Sequence, residues 1–242
     1  MDYKLLALTL GPGLAIAVYV FWKDRFDREP LRLLVSCFLL GVLSAFLAVG
    51  IQIAVQRVGL DKNDSLSGEL FHCFIIIGLS EEFSKLLFLR QFAYPKPQFN
   101  EPYDGITYSV MVSMGFATIE NIAYVYLGNS SGEALSVALI RMVTAIPAHA
   151  SFAVIMGYFV GLAKFRNNST SLMFIGLFAA TFMHGLYDFF LLQNSIPNIS
   201  AGAFISLAIW VYLSYRAIHI HQANSPYNTP NNEDENGFPN GK

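Results

Sequence analysis

The chain has 242 residues, a formal net charge of −2, and a composition that is 54% hydrophobic and only 13% charged; that charged share is about half the usual one for soluble domains. This balance excludes a water-soluble globular domain as the main fold, and a small negative charge without a basic stripe excludes a nucleic-acid partner. Cys37 and Cys73 both fall inside apolar runs without CxxC spacing, which excludes a disulfide framework and a cysteine-only metal site.

Apolar runs close to bilayer-spanning length recur along the chain, and predict seven transmembrane helices at 4–22, 31–55, 69–92, 104–127, 134–163, 170–193 and 199–219. Lipid offers no hydrogen-bond partner to a backbone, and no ten-residue alternation suggests barrel strands, so the spans are read as helices. The expected fold is an all-α polytopic membrane bundle, with residues 1–221 forming one transmembrane domain. Residues 222–242, rich in Asn, Pro, Asp and Glu, read as a polar disordered cytoplasmic tail. The first run has a weakly charged N-terminal flank and continues apolar to Phe21-Trp22, which reads as a retained helix, not a cleaved signal. Gly11-Pro12-Gly13 suggests a kink within it.

Basic residues set the expected orientation. Lys23, Arg25, Arg28, Arg32, Arg90, Lys96, Lys164, Arg166, Arg216 and Lys242 all fall on one side, whereas Lys4, Arg57 and Lys62 fall on the other. The loops around Asn129 to Gly132 and Asn194 to Ser200 carry no Lys or Arg. The positive-inside rule then puts the N-terminus outside and the C-terminus in the cytoplasm.

Polar residues inside these runs mark the candidate site. The third span holds Glu81, Glu82 and Lys85 within five residues, although each charge near the membrane centre costs about 2.5–3.5 kcal/mol even on a lenient scale. The fourth span holds Glu120 and Asn121. The fifth holds Arg141 and then Ala145-Ile-Pro147-Ala-His149, where Pro147 predicts a kink just before the histidine. Gly157 and Gly161 follow at small-xxx-small spacing, which reads as a helix-packing face. In the sixth span, His184 and Asp188 share one helical face at i, i+4, so the carboxylate can orient the imidazole. His72, His219 and His221 lie near span ends and read as interfacial, with no assigned role.

At about 1.5 Å per residue, Glu81, Glu82, His149 and His184 fall near mid-membrane, with Glu120 and Asp188 nearer the external leaflet. Glu120, His149 and His184 would supply three N/O ligands and leave a fourth position for water, a set that suits catalytic zinc; a glutamate of the third helix would serve as general base. The implied chemistry is hydrolysis, with Asn121 or an arginine polarising the scissile carbonyl.

Glu81-Glu82-Phe-Ser-Lys85, Phe116-Ala-Thr-Ile-Glu120-Asn121, His149 and His184-Gly-Leu-Tyr-Asp188 resemble, in order and placement, the motif series of the PrsW family of intramembrane proteases. Asp24-Arg-Phe-Asp-Arg-Glu-Pro-Leu31 and Tyr103-Asp-Gly-Ile-Thr-Tyr108 extend the resemblance, which covers roughly residues 1–220. The family is related to the CAAX-processing and bacteriocin-immunity membrane proteases. Those usually carry Phe-xxx-His where this chain has Phe116-xxx-Glu120, a departure that favours the PrsW branch over prenyl-protein processing. The resemblance implies a multi-pass protein of the bacterial cytoplasmic membrane that cleaves a single-span substrate. An anti-sigma factor in regulated intramembrane proteolysis is the implied example. Both a zinc mechanism and a metal-free glutamate mechanism fit this pattern.

Each polar residue also has a structural reading. Lys85 can pair with Glu81 at i+4 or Glu82 at i+3, leaving one surplus carboxylate, of which Glu81 is the expected base. Glu120 can pair with Arg141, and Asn121 can simply bond between helices. Buried Glu, His, Asp and Lys also describe the proton relay of a transporter, but the inverted repeat expected of many transporters is absent from the sequence. A non-catalytic membrane scaffold is the third reading.

Overall fold

A computed structural model of the chain describes residues 3–24, 26–61, 65–127 and 133–228. The expectations for Arg25, Lys62, the loop around Asn129 to Gly132, and the tail beyond residue 228 with Lys242 lie outside the described residues. Within them every regular element is helical: α1 (Tyr3–Lys23), α2 (Leu31–Arg57), α3 (Leu66–Phe71), α4 (Ser80–Phe88), α5 (Pro102–Tyr126), α6 (Ala134–Val143), α7 (Ala145–Phe165), α8 (Ser169–Leu192) and α9 (Ala201–Ala223). Two π-helical stretches, His72–Leu79 and Leu89–Ala93, join α3 to α4 and extend α4.

Five helical segments are long and apolar enough to cross a membrane: α1, α2, the α6–α7 pair, α8 and α9. The other two segments read as spans, around α4 and along α5, are helical but more polar. Their position explains the difference. α5 is buried along almost its whole length, including Asp104, Thr107, Ser109, Ser113, Thr118 and Asn121, because it packs against α1, α2 and α7. A helix shielded by other helices need not be apolar all round, since its neighbours and not lipid form its surroundings.

Small residues set how closely α5 is held. A Cβ added to Gly161 would lie 2.0 Å from the Pro102 carbonyl oxygen, and one at Gly105 would lie 2.4 Å from that of Gly157. The Gly157–Gly161 face therefore meets the start of α5 with backbone against backbone. On the opposite side, an added Cβ at Gly41 would come within 1.9 Å of Val112 O, bringing α2 equally close. α8 lies across α7 and the first π stretch.

α1 runs through Pro12 without interruption. The fifth segment breaks instead, at Thr144 (φ −122°, ψ −71°), between α6 and α7. Pro147 thus sits in the first turn of α7, where its missing N–H costs no helical bond. The expected kink falls three residues before the proline because the ring crowds the carbonyl one turn back.

Cys37 and Cys73 are free and buried. His72 bonds Asp61 at 2.7 Å. His221 is buried, stacked on Tyr158 with Nε2 3.0 Å from its carbonyl oxygen, and so is packed between helices. α9 continues to Ala223, and Gln222 Nε2 donates to Lys23 O at 2.6 Å, tying the start of the expected tail to the end of α1.

Candidate active site

The π stretch His72–Leu79 ends immediately before the two glutamates, and such wide turns are common at functional sites. Ser80 Oγ donates to Ile76 O at 2.5 Å and Ser84 Oγ to Ser80 O at 2.6 Å, satisfying carbonyls where the winding changes. The ordinary α winding that follows carries Glu81, Glu82 and Lys85 into the interior, where all three are buried.

The two glutamates have different surroundings. Glu82 Oε1 accepts from Lys85 Nζ at 2.7 Å and lies 2.9 Å from His184 Nδ1. Glu81 is held less tightly: Gln52 Nε2 donates to its Oε1 at 3.4 Å, and Lys85 is 4.0 Å from its Oε2. Glu81 Oε2 is buried without any hydrogen-bond partner.

His184 Nδ1 therefore donates to Glu82, which makes Nε2 the nitrogen that faces the remaining carboxylates and the one a metal could use. Nε2 lies 3.8 Å from Glu81 Oε2 and 3.4 Å from Asp188 Oδ2. Asp188 keeps the i, i+4 proximity expected from sequence, but the nitrogen it approaches is the one beside Glu81, and a different helix supplies the carboxylate on Nδ1.

His149 on α7 differs in that both of its nitrogens are engaged, so holding a metal through Nδ1 requires the Lys85 ammonium to turn away toward the glutamates. Its Nε2 lies 2.9 Å from Glu120 Oε2, and its Nδ1 lies 3.2 Å from the Lys85 ammonium, which can only donate. The His149 and His184 rings are perpendicular, with centroids 5.1 Å apart, and Phe152 stacks on His184 at 4.9 Å. Ser113 Oγ donates to His149 O at 3.0 Å, fixing α7 to α5 at this level.

Arg141, on α6, closes one side of the group. It donates to Glu120 Oε2 and Asn121 Oδ1, both at 2.6 Å, and its guanidinium lies 4.0 Å above the Tyr124 ring. Asn121 Nδ2 in turn donates to Thr9 O at 3.2 Å. A cavity of about 150 Å³ opens here, lined among others by Glu120, Tyr124, Arg141, His149, His184 and Asp188.

Glu81, His149 and His184 each offer a ligand atom, and the three atoms lie within 4.8 Å of one another. Two imidazoles and one carboxylate make a donor set suited to a catalytic zinc-type ion, and the orphaned Glu81 Oε2 is a buried acceptor awaiting a partner. The structure thus groups Glu81 with the two histidines, whereas the sequence reading grouped Glu120 with them. Glu120 is instead engaged by Arg141 while touching His149. Glu82, Lys85, Asn121 and Asp188 all lie around this group. Gln52 and Thr9 were not singled out in the sequence. Gln52, an amide inside the apolar run of α2, carried a usable signal; the Thr9 contribution is a backbone oxygen and left none.

Residues 29–215 match the family model described as PrsW family intramembrane metalloprotease. The chain is 35% identical over 209 residues to Protease PrsW of Geobacillus kaustophilus (strain HTA426), covering 86% of this chain and 88% of the relative. It is 34% identical over 191 residues to Protease PrsW of Bacillus subtilis (strain 168), covering 78% and 83%. For Protease PrsW of Clostridioides difficile (strain 630) the identity is 37% over 200 residues, covering 79% and 80%. No solved structure matches the chain. Shared along most of its length with proteases of this kind, the chain belongs to the PrsW family of intramembrane metalloproteases and is a multi-pass membrane endopeptidase.

Proposed function

We propose that the chain hydrolyses a peptide bond in or beside the transmembrane segment of a single-span substrate, with Glu81, His149 and His184 holding a zinc-type ion. The convergence of those three side chains beside the cavity is the observation that carries this reading. Such an ion, when bound, supplies Lewis-acid polarisation and makes water nucleophilic near neutral pH.

The remaining residues have separable tasks. Glu82 holds the His184 Nδ1 proton and so keeps Nε2 available; Glu120, anchored by Arg141 and Asn121, positions His149. Lys85 balances the charge of Glu82, both side chains being fully buried. Asp188 lines the cavity, and no cation pairs with it among the described residues apart from the neighbouring His184; its Oδ2 is placed to accept the proton of the attacking water and return it to the leaving amine. Arg141, on the cavity wall, is the donor available to a developing oxyanion.

The seven helical segments would place the N-terminus outside and the C-terminus in the cytoplasm, in line with the basic residues. An anti-sigma factor with one membrane span remains the substrate that the family resemblance suggests.

Purified protein in lipid nanodiscs, given a single-span reporter, tests these assignments. Glu81→Gln, His149→Ala and His184→Ala should lose both bound metal and cleavage, while Asp188→Asn should keep metal and lose cleavage. A Glu81→Gln protein that keeps stoichiometric metal without turnover would return Glu81 to the role of general base.

A further inference from the structure

Gln52 is the one polar side chain in the run from Ala45 to Val55 on α2. Phe46, Val49 and Ile53 of the same run are exposed, whereas Gln52 is half-buried and turned toward α4. Its Nε2 has two neighbours there, Ser80 Oγ at 3.2 Å and Glu81 Oε1 at 3.4 Å. The direction of these bonds is fixed by Ser80. Its hydroxyl hydrogen is committed to the π stretch, with Ile76 O at 2.5 Å and Ile77 O at 3.1 Å, so toward Gln52 the serine oxygen can only accept. The amide must then present its NH2 group and not its oxygen. That group carries two hydrogens, one for Ser80 and one for Glu81.

This fork acts on the least restrained member of the catalytic group. The last torsion of a glutamate side chain is soft, so a carboxylate without a bond is free to turn. Gln52 engages Oε1, while Oε2 stays unpartnered and lies 3.8 Å from His184 Nε2. The other donor near Glu81 is Lys85, 4.0 Å from Oε2 and drawn away to Glu82 at 2.7 Å. Without the amide, nothing opposes a swing of Glu81 toward that ammonium and away from the histidines.

We propose that Gln52 is a positioning residue of the catalytic centre: by donating to Glu81 Oε1 it aims the Glu81 carboxylate at His149 and His184, and by donating to Ser80 it locks that aim to the π stretch. The inference rests on the reading of Glu81 as a member of the catalytic group. The role needs a donor and not merely a side chain of this size. Gln52 does not line the cavity, so its influence falls on Glu81 and not on substrate binding.

The test compares wild type, Gln52→Met, Gln52→Leu and Glu81→Gln as full chains in lipid nanodiscs. Zinc affinity is measured by competition with a chelating dye, and kcat and KM by cleavage of the single-span reporter. Methionine fills much the same space without a donor, and both apolar side chains suit a helix with a lipid-facing side, so either variant that folds decides the matter. Each should bind zinc about 10–100-fold more weakly and lose kcat at least about tenfold, with KM unchanged. A role in packing alone would leave Gln52→Met with wild-type zinc affinity and kcat, and that result overturns the proposal, as does a change confined to KM. Glu81→Gln separates this inference from the assignment beneath it. If Glu81→Gln loses zinc while the Gln52 variants keep both zinc and kcat, Glu81 is a ligand and Gln52 does not position it. If Glu81→Gln keeps zinc, the ligand assignment falls and kcat alone decides: a tenfold loss in the Gln52 variants supports positioning of Glu81 as base, and a wild-type kcat overturns it.

Discussion

Lys85 Nζ stands 2.7 Å from Glu82 Oε1, and both side chains are wholly enclosed by protein. Removing one member of such a pair leaves an uncompensated buried charge, at a cost of about 3–5 kcal/mol. Lys85→Met and Glu82→Gln should therefore each destabilise by about that amount. The double variant should be less damaged than the sum of the two, by at least about 1 kcal/mol. Denaturation of the purified proteins gives the coupling, and strictly additive losses would show that the pair is not a unit.

The separation of the two glutamates was only half legible in sequence. Helical spacing allowed Lys85 to reach either one, and charge counting left one carboxylate over. Which one is left over depends on His184, more than a hundred residues away, whose Nδ1 meets Glu82 only because α8 crosses the π-helical stretch. The same limit applies to Glu120. Its polarity marked it as a site residue, but its direction is set by Arg141 on α6, the short helix that ends at the break at Thr144, and Pro147 announced that break only approximately. Apolar periodicity made the helices plain and the burial of α5 less so. Spacing within one helix was a reliable guide; between helices the Glu120–Arg141 pair was legible as the structural reading of Glu120, whereas the Glu82–His184 pair was not.

Arg141 holds Glu120 and Asn121 at 2.6 Å each, and through Glu120 it positions His149. Arg141→Ala should lower kcat/KM by about 10–100-fold, the usual effect of losing a group that orients a metal-binding histidine. Arg141→Lys should recover only part of this loss, because an ammonium cannot reproduce two directed guanidinium bonds. Steady-state cleavage of the reporter by the three proteins checks the order, and a fully active Arg141→Ala would remove the positioning role.

The approach of α7 to α5 is limited by backbone atoms, which cannot rotate away. At Gly161 an added methyl would lie 2.0 Å from Pro102 O, whereas at Gly50 nothing lies within 4 Å. Gly161→Ala should cost about 1–3 kcal/mol as overpacking and lower activity by shifting His149. Gly50→Ala should be neutral or stabilising by up to about 1 kcal/mol. The contrast between the two unfolding midpoints is the measurement, and equal effects would mean that the helices separate without cost.

The turn carboxylates make stability depend on pH in a defined direction. Asp24 is raised to about 8 and Glu29 to about 7, in both cases chiefly by burial. Both therefore hold protons in the folded chain at pH values where the unfolded chain has released them. A raised folded pKa gives stability that is complete below the unfolded value and is lost as pH rises through the folded one. The midpoint of unfolding should thus fall between pH 6 and pH 8.5, with Glu101 and Asp27 adding to the repulsion as the protons leave. Asp24→Asn should flatten that slope, because an amide does not ionise. A wild-type midpoint that climbs across this range would show that the buried carboxylates are not the groups that titrate.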